Sequence, residues 1–165
     1  MNEHYLDTEF QRADELIAKD LIEESKSVLN SILEEDPNYG KAHNHLGWIA
    51  KVKENDPVTA ENHYKHALAS VPDYGATYLN YAYLLSEQKR YYDLEQILQK
   101  AENVADVSKN SLAREWAYMY EDTKQYEKAI EKYKEYALTL YDSPLLEKAK
   151  EAILRCRQKL EILNL

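Results

Sequence analysis

Hydrophobic and small residues recur along this chain on two length scales. At short range they are spaced four and then three apart in four places: Ser25, Leu29 and Ile32; Ala60, Tyr64 and Ala67; Leu94, Leu98 and Ala101; Ala129, Tyr133 and Tyr136. Steps of four and three keep each set on one face of a helix. At long range a column of small residues, Ala13, Gly47, Ala82 and Ala117, runs ahead of these sets at spacings of 34, 35 and 35. Fixed periods of about 20 to 50 residues are the mark of stacked repeats. A neighbouring helix approaches closely only where the side chain is small, so each unit reads as a first helix crossed by a second at that column. The final segment, "PLLEKAKEAILRCRQKLEIL", places Leu146, Ala149, Ile153, Cys156, Leu160 and Leu163 on one stripe. A stack of repeats needs a terminal helix over its last apolar face, and this segment fits that task. The stripe also reads as a coiled-coil seam of under three heptads, shorter than the three or four such a seam needs.

Turn chemistry supports the helix pairs. Asp56-Pro57 and Ser143-Pro144 each put a capping residue before proline at a first helical position. Pro37 and Pro72 stand where a second helix must stop, at the heads of the echoing segments "PNYGKAHNHLG" and "PDYGATYLNYA". The prediction is an all-α, right-handed solenoid in a single domain. Four helix pairs cover approximately residues 5–37, 38–72, 73–107 and 108–142, and a capping helix covers 143–165.

These residues resemble the tetratricopeptide repeat, whose pattern sets Trp, Leu-Gly and Tyr on a first helix, Ala, Phe and Ala on a second, and then Pro. The second unit matches with Leu46-Gly47, Ala60, Tyr64, Ala67 and Pro72, with His43 and Ala50 in place of the usual Trp and Tyr. The fourth matches with Trp116-Ala117, Tyr120, Tyr126, Ala129 and Tyr133. The third carries Tyr81-Ala82, Tyr91 and Ala101, and the first is recognisable through Ala13, Leu16, Leu29 and Pro37. The resemblance implies a fold and a general role in protein interaction. Some members clamp terminal carboxylates with Lys, Asn and Arg on successive first helices. The corresponding places here hold Phe10, Asp14, His45, Ala76 and Asn80, or, one unit later, Asn44, Trp48, Asn80, Ser111 and Glu115. Only Asn80 agrees, so that clamp is not expected.

Composition narrows the class further. The chain is 31% charged with net charge −9, and three glycines and four prolines leave little room for flexible linker. Residues 1–36 hold 11 acids and 3 bases, whereas residues 143–165 hold 3 and 5. Nucleic-acid binding draws on Lys and Arg against phosphate, so this balance argues against nucleic acid. The start "MNEHYLDTEF" has no signal-peptide character, and no apolar run is long enough for a membrane span. The lone Cys156 can neither pair internally nor build a zinc site. A cytoplasmic protein without membrane attachment is expected.

Chemistry-bearing motifs are few. Three glycines make no phosphate loop, and no nucleophile elbow occurs. His43 and His45 lie two apart on a helix and face different ways, while His63 and His66 share a face without further ligands. The latter read as an exposed pair, and neither metal nor cofactor is expected. What the pattern does offer is an aromatic column one residue beyond the small one: Trp48, Tyr83 and Tyr118. Lys41, Asn44, His45, Asn80 and Arg114 fall on the neighbouring turns. Rigid rings among hydrogen-bonding groups suit a peptide on the concave face, although the same rings could simply pack between first helices. The expected function is a non-catalytic module binding a protein or peptide partner, as a monomer or a weak homodimer through the last helix. A self-assembling subunit joined through its oppositely charged ends is the alternative, and a pentatricopeptide-like RNA binder stands third.

Overall fold

Nine helices form among the described residues of the computed structural model, which are 3–141 and 143–164, and no strand does. They are α1 (Glu3–Ala18), α2 (Ile22–Glu35), α3 (Gly40–Val52), α4 (Pro57–Ser70), α5 (Gly75–Glu87), α6 (Tyr91–Ala101), α7 (Lys109–Asp122), α8 (Tyr126–Leu138) and α9 (Ser143–Leu163). The chain divides into two compact units, one running to Leu84 and one from Leu85 onward. In the first, α1 packs on α2, α2 on α3 and α3 on α4; in the second, α6 packs on α7, α7 on α8 and α8 on α9.

Helix starts and stops follow local chemistry. The Asp56 carboxylate accepts from the amides of Val58 and Thr59, and Pro57 opens α4 with no amide left over. The expected cap at Ser143 involves a side chain outside the described set. Turns inside the helix pairs use a device that the pattern did not announce. Asp20, Asn55, Lys89 and Lys124 all have positive φ, between 54° and 62°. Behind three of them the chain closes with bonds from the amides of Leu21, Arg90 and Gln125 to the carbonyls of Leu16, Leu85 and Tyr120. This is the left-handed C-terminal stop of a helix, here built without glycine.

Every member of the small-residue column and of the three second-helix columns is buried. In the first unit the Ser25 hydroxyl donates to the Ala13 carbonyl across the α1–α2 crossing, so a polar residue is satisfied where other pairs have Ala or Leu. At the α3–α4 crossing, a β-carbon on Gly47 would stand 2.6 Å from Cε1 of the fully buried Tyr64. Leu6, Phe10, Ala13, Leu29, Ile32, Leu46 and Ile49 fill the core of that unit.

In the second unit α9 is held by an apolar stripe and one carboxylate. Ala149, Ala152 and Cys156 are buried against α7 and α8, with Ile153 and Leu160 alongside. Burial pushes the Cys156 thiol up to about 11, which makes it a packing residue rather than a nucleophile. Glu121 of α7 accepts from Arg155 Nε at 2.6 Å, Arg155 Nη2 at 2.7 Å, Lys159 Nζ at 3.1 Å and the Tyr133 hydroxyl at 2.7 Å. One carboxylate therefore ties α7, α8 and α9 together. The Arg155 hydrogen bonds outweigh desolvation and hold its carboxyl down at about 2.

That depression gives a signed pH dependence. A carboxyl near 2 in the folded chain and near 4.5 in the unfolded one adds stability above pH 4.5, lost as pH falls from 4.5 through 2. Glu121→Gln is expected to lower stability by roughly 2 kcal/mol at pH 7. The gap to the parent should shrink between pH 5 and 3 in urea titrations; a gap constant over that range would show that the carboxylate's charge is not what holds α9.

Candidate functional site

The expected site residues fall in both units. In the first, Lys41, Asn44, His45 and Trp48 lie on α3, and Asn80 and Tyr83 on α5. Asn44 is only 3% exposed, and its Oδ1 accepts from Asn80 Nδ2 at 3.0 Å. The pair joins α3 to α5, so Asn44 offers little to a ligand. His45 is engaged on both nitrogens, by Asp14 of α1 and by the Lys41 carbonyl at 3.1 Å, with the Phe10 ring edge-on at 4.6 Å. Lys41 stands 4.0 Å from Asp7 and lines a cavity of about 600 Å³ with Leu6, Tyr39 and Val71. Trp48 is half-buried against the core of this unit, with the Lys53 ammonium 5.9 Å from its ring. Tyr83 is half-buried.

The histidines are arranged otherwise than expected. His63 and His66 were read as an exposed pair, but His63 is half-buried and its Nδ1 lies 3.0 Å from Nδ1 of His43. His43 Nε2 donates to the Pro37 carbonyl, and the His66 ring stacks on His43 at 5.2 Å. The helix-pair crossing brings together residues 20 apart in sequence, which a one-helix reading cannot see. Among the described residues no group of three or more His, Cys, Asp or Glu is placed to hold a metal.

In the second unit, Arg114 and Tyr118 of α7 line an open cleft of about 310 Å³ between α7, α8 and α9. Tyr133 and Tyr136 of α8 and Leu145, Lys148 and Arg155 of α9 complete its wall. Tyr118 is 44% exposed, its ring lies edge-on to Tyr133 at 6.0 Å, and the Arg114 guanidinium sits 6.0 Å from its centroid. Arg114 Nε donates to Glu115 at 3.2 Å; burial pushes the Glu115 carboxyl up, and Arg114 pulls it partly back. The α8 and α9 contributions were missed because Tyr133 and Tyr136 read as core columns and α9 as a cover. The available signal was bulk: position 136 carries Tyr where the other units have Ile32, Ala67 and Ala101.

Two solved structures share this arrangement of helices. PilF of Pseudomonas aeruginosa superposes with a TM-score of 0.83 at 22% identity, covering 96% of this chain and 70% of its own. PilW, described as a widely conserved type IV pilus biogenesis factor, gives 0.67 at 18%, covering 98% and 77%. The fold is a tetratricopeptide-like, all-α solenoid of helical repeats. At these identities the likeness is one of fold alone. No protein-family profile and no curated protein matches the chain. Among the described residues, no helix is long and apolar enough to cross a membrane.

The histidine cluster yields a second pH prediction. Burial first, and then the neighbouring His43 charge, lower His63 to about 4. Above pH 6.5 it is neutral folded or unfolded and contributes nothing. As pH falls from 6.5 to 4 the unfolded chain takes up a proton that the folded one refuses, so stability declines. His63→Asn is expected to flatten urea midpoints between pH 6.5 and 4.5 relative to the parent; parallel curves would show that His63 is not the group responsible.

Proposed function

We propose that this chain is a non-catalytic protein-interaction module, and that its contact surface in the second unit is the tyrosine cleft of α7, α8 and α9. The observation that carries this reading is Tyr118, a large ring held on a rigid helix yet 44% exposed within a cleft that two further tyrosines line. Such rings supply contact area at little cost in side-chain entropy and dominate binding at protein interfaces. Among the described residues the cleft is lined by no Ser, Thr or Cys, and the one cysteine of the chain is buried elsewhere in the α9 packing. In the first unit Lys41, Trp48 and Tyr83 keep part of their surface open and are read as adding contact area there. The Asn44–Asn80 and His45–Asp14 contacts brace α3 behind them.

A photo-reactive phenylalanine analogue at position 118 tests this in extracts of the native cell. Light-dependent adducts with a polypeptide are expected at 118 and not at the more exposed Tyr92 of α6. Once the partner is in hand, Tyr118→Ala should weaken it about thirtyfold, the equivalent of roughly 2 kcal/mol, with an unchanged melting temperature. Identical adducts from both positions, or a Tyr118→Ala protein that binds normally, would place the contact surface elsewhere.

A further inference from the structure

The cleft of the second unit is asymmetric in where it exposes charge. Two cation–carboxylate contacts border it, Arg114 with Glu115 and Arg155 with Glu121, and Lys159 shares Glu121 from beyond its lining; in each the carboxylate is inside and the cation outside. Side-chain exposure is 31% for Arg114 against 4% for Glu115, 49% for Arg155 against 10% for Glu121, and 42% for Lys159 against the same Glu121. The anions are thus covered by protein while the cations face water, so the mouth presents positive charge although the whole chain carries −9.

Unused hydrogen-bonding capacity points the same way. Lys148 lines the cleft with no ion-pair or hydrogen-bond partner among the described residues. Arg155 spends Nε and Nη2 on Glu121, and its Nη1 bonds to no described residue. The hydroxyls of Tyr118 and Tyr136 make no hydrogen bond to a described residue. Against these donors the cleft has, among the described residues, one uncovered carboxylate, Glu151, three residues from Lys148. Ammonium, guanidinium and phenol groups around aromatic rings fit a carboxylate borne on an apolar or aromatic stretch of polypeptide.

Resting on the interaction reading above, we infer that the cleft of α7, α8 and α9 docks an acidic segment of a partner protein. Asp or Glu side chains of the segment meet Lys148, the open edge of Arg155 and the two tyrosine hydroxyls. Its apolar side chains lie on Tyr118 and Leu145.

Selection of a displayed library of random 12-residue peptides on the full chain tests this directly, followed by affinity measurement of the enriched peptides. Sequences rich in Asp and Glu are expected. Their binding should weaken about tenfold with Lys148→Glu, strengthen with Glu151→Lys and fall as salt rises. Neither side chain has an ion-pair or hydrogen-bond partner among the described residues, so both variants should fold normally. Enriched peptides that need Tyr118 but show no excess of acids and ignore Lys148→Glu would overturn the acidic segment and leave the interaction module standing. A library that yields nothing dependent on Tyr118 would overturn both. Two further outcomes would also contradict an acidic partner protein. One is competition for the cleft by single-stranded RNA. The other is concentration-dependent self-association relieved by reversing two exposed acids at the end of α2, Glu34→Lys with Glu35→Lys, which would make a second copy of the chain the occupant.

Discussion

Close approach of paired helices is the constraint on which the rest of this structure depends. A helix that carries Ala or Gly at one position in every 34 or 35 residues lets its partner come near enough to bury a continuous face. At the α3–α4 crossing the margin is small, because Gly47 leaves just the space that the Tyr64 ring occupies. Protein interiors are packed at nearly crystalline density, so space at a crossing cannot be widened locally without moving both helices. The turns, the core columns and the placement of surface groups all follow from this approach.

Much of this was legible in the chain itself, because small residues, helical spacing and proline each act locally. The columns from Ser25 to Tyr136 are all buried, as their periodicity implies. The left-handed turns were not legible. Asp20, Asn55, Lys89 and Lys124 recur at intervals of 35, 34 and 35, but lysine is no turn signal. A left-handed residue other than glycine costs roughly 1–2 kcal/mol, which packing of the helix pair must offset. The His43–His63 contact was hidden for a different reason. It joins two helices, and spacing along either one says nothing of which faces meet.

The candidate site shows the same division. Arg114 and Tyr118 were expected from α7 alone, and both line the cleft. Tyr133, Tyr136, Lys148 and Arg155 became visible only once α8 and α9 were docked, since their meeting depends on how α9 settles on the pair before it. In the first unit, burial removed Asn44 from the open surface by giving it Asn80 as a partner. Glu121 links architecture to surface chemistry. By sinking beneath Arg155 and Lys159 it anchors the last helix, and it leaves the outer edge of Arg155 facing the cleft.

A double-mutant cycle at the α3–α4 crossing tests the central claim most directly. If the void at Gly47 exists to receive Tyr64, Gly47→Ala alone should cost about 1–3 kcal/mol by overpacking. The same change in a Tyr64→Leu background, where the smaller side chain yields space, should cost at least about 1 kcal/mol less. Urea titrations of the four proteins give the coupling. Strictly additive losses would contradict the account, because they would mean that the small residue and the ring do not share the crossing that organises the repeat.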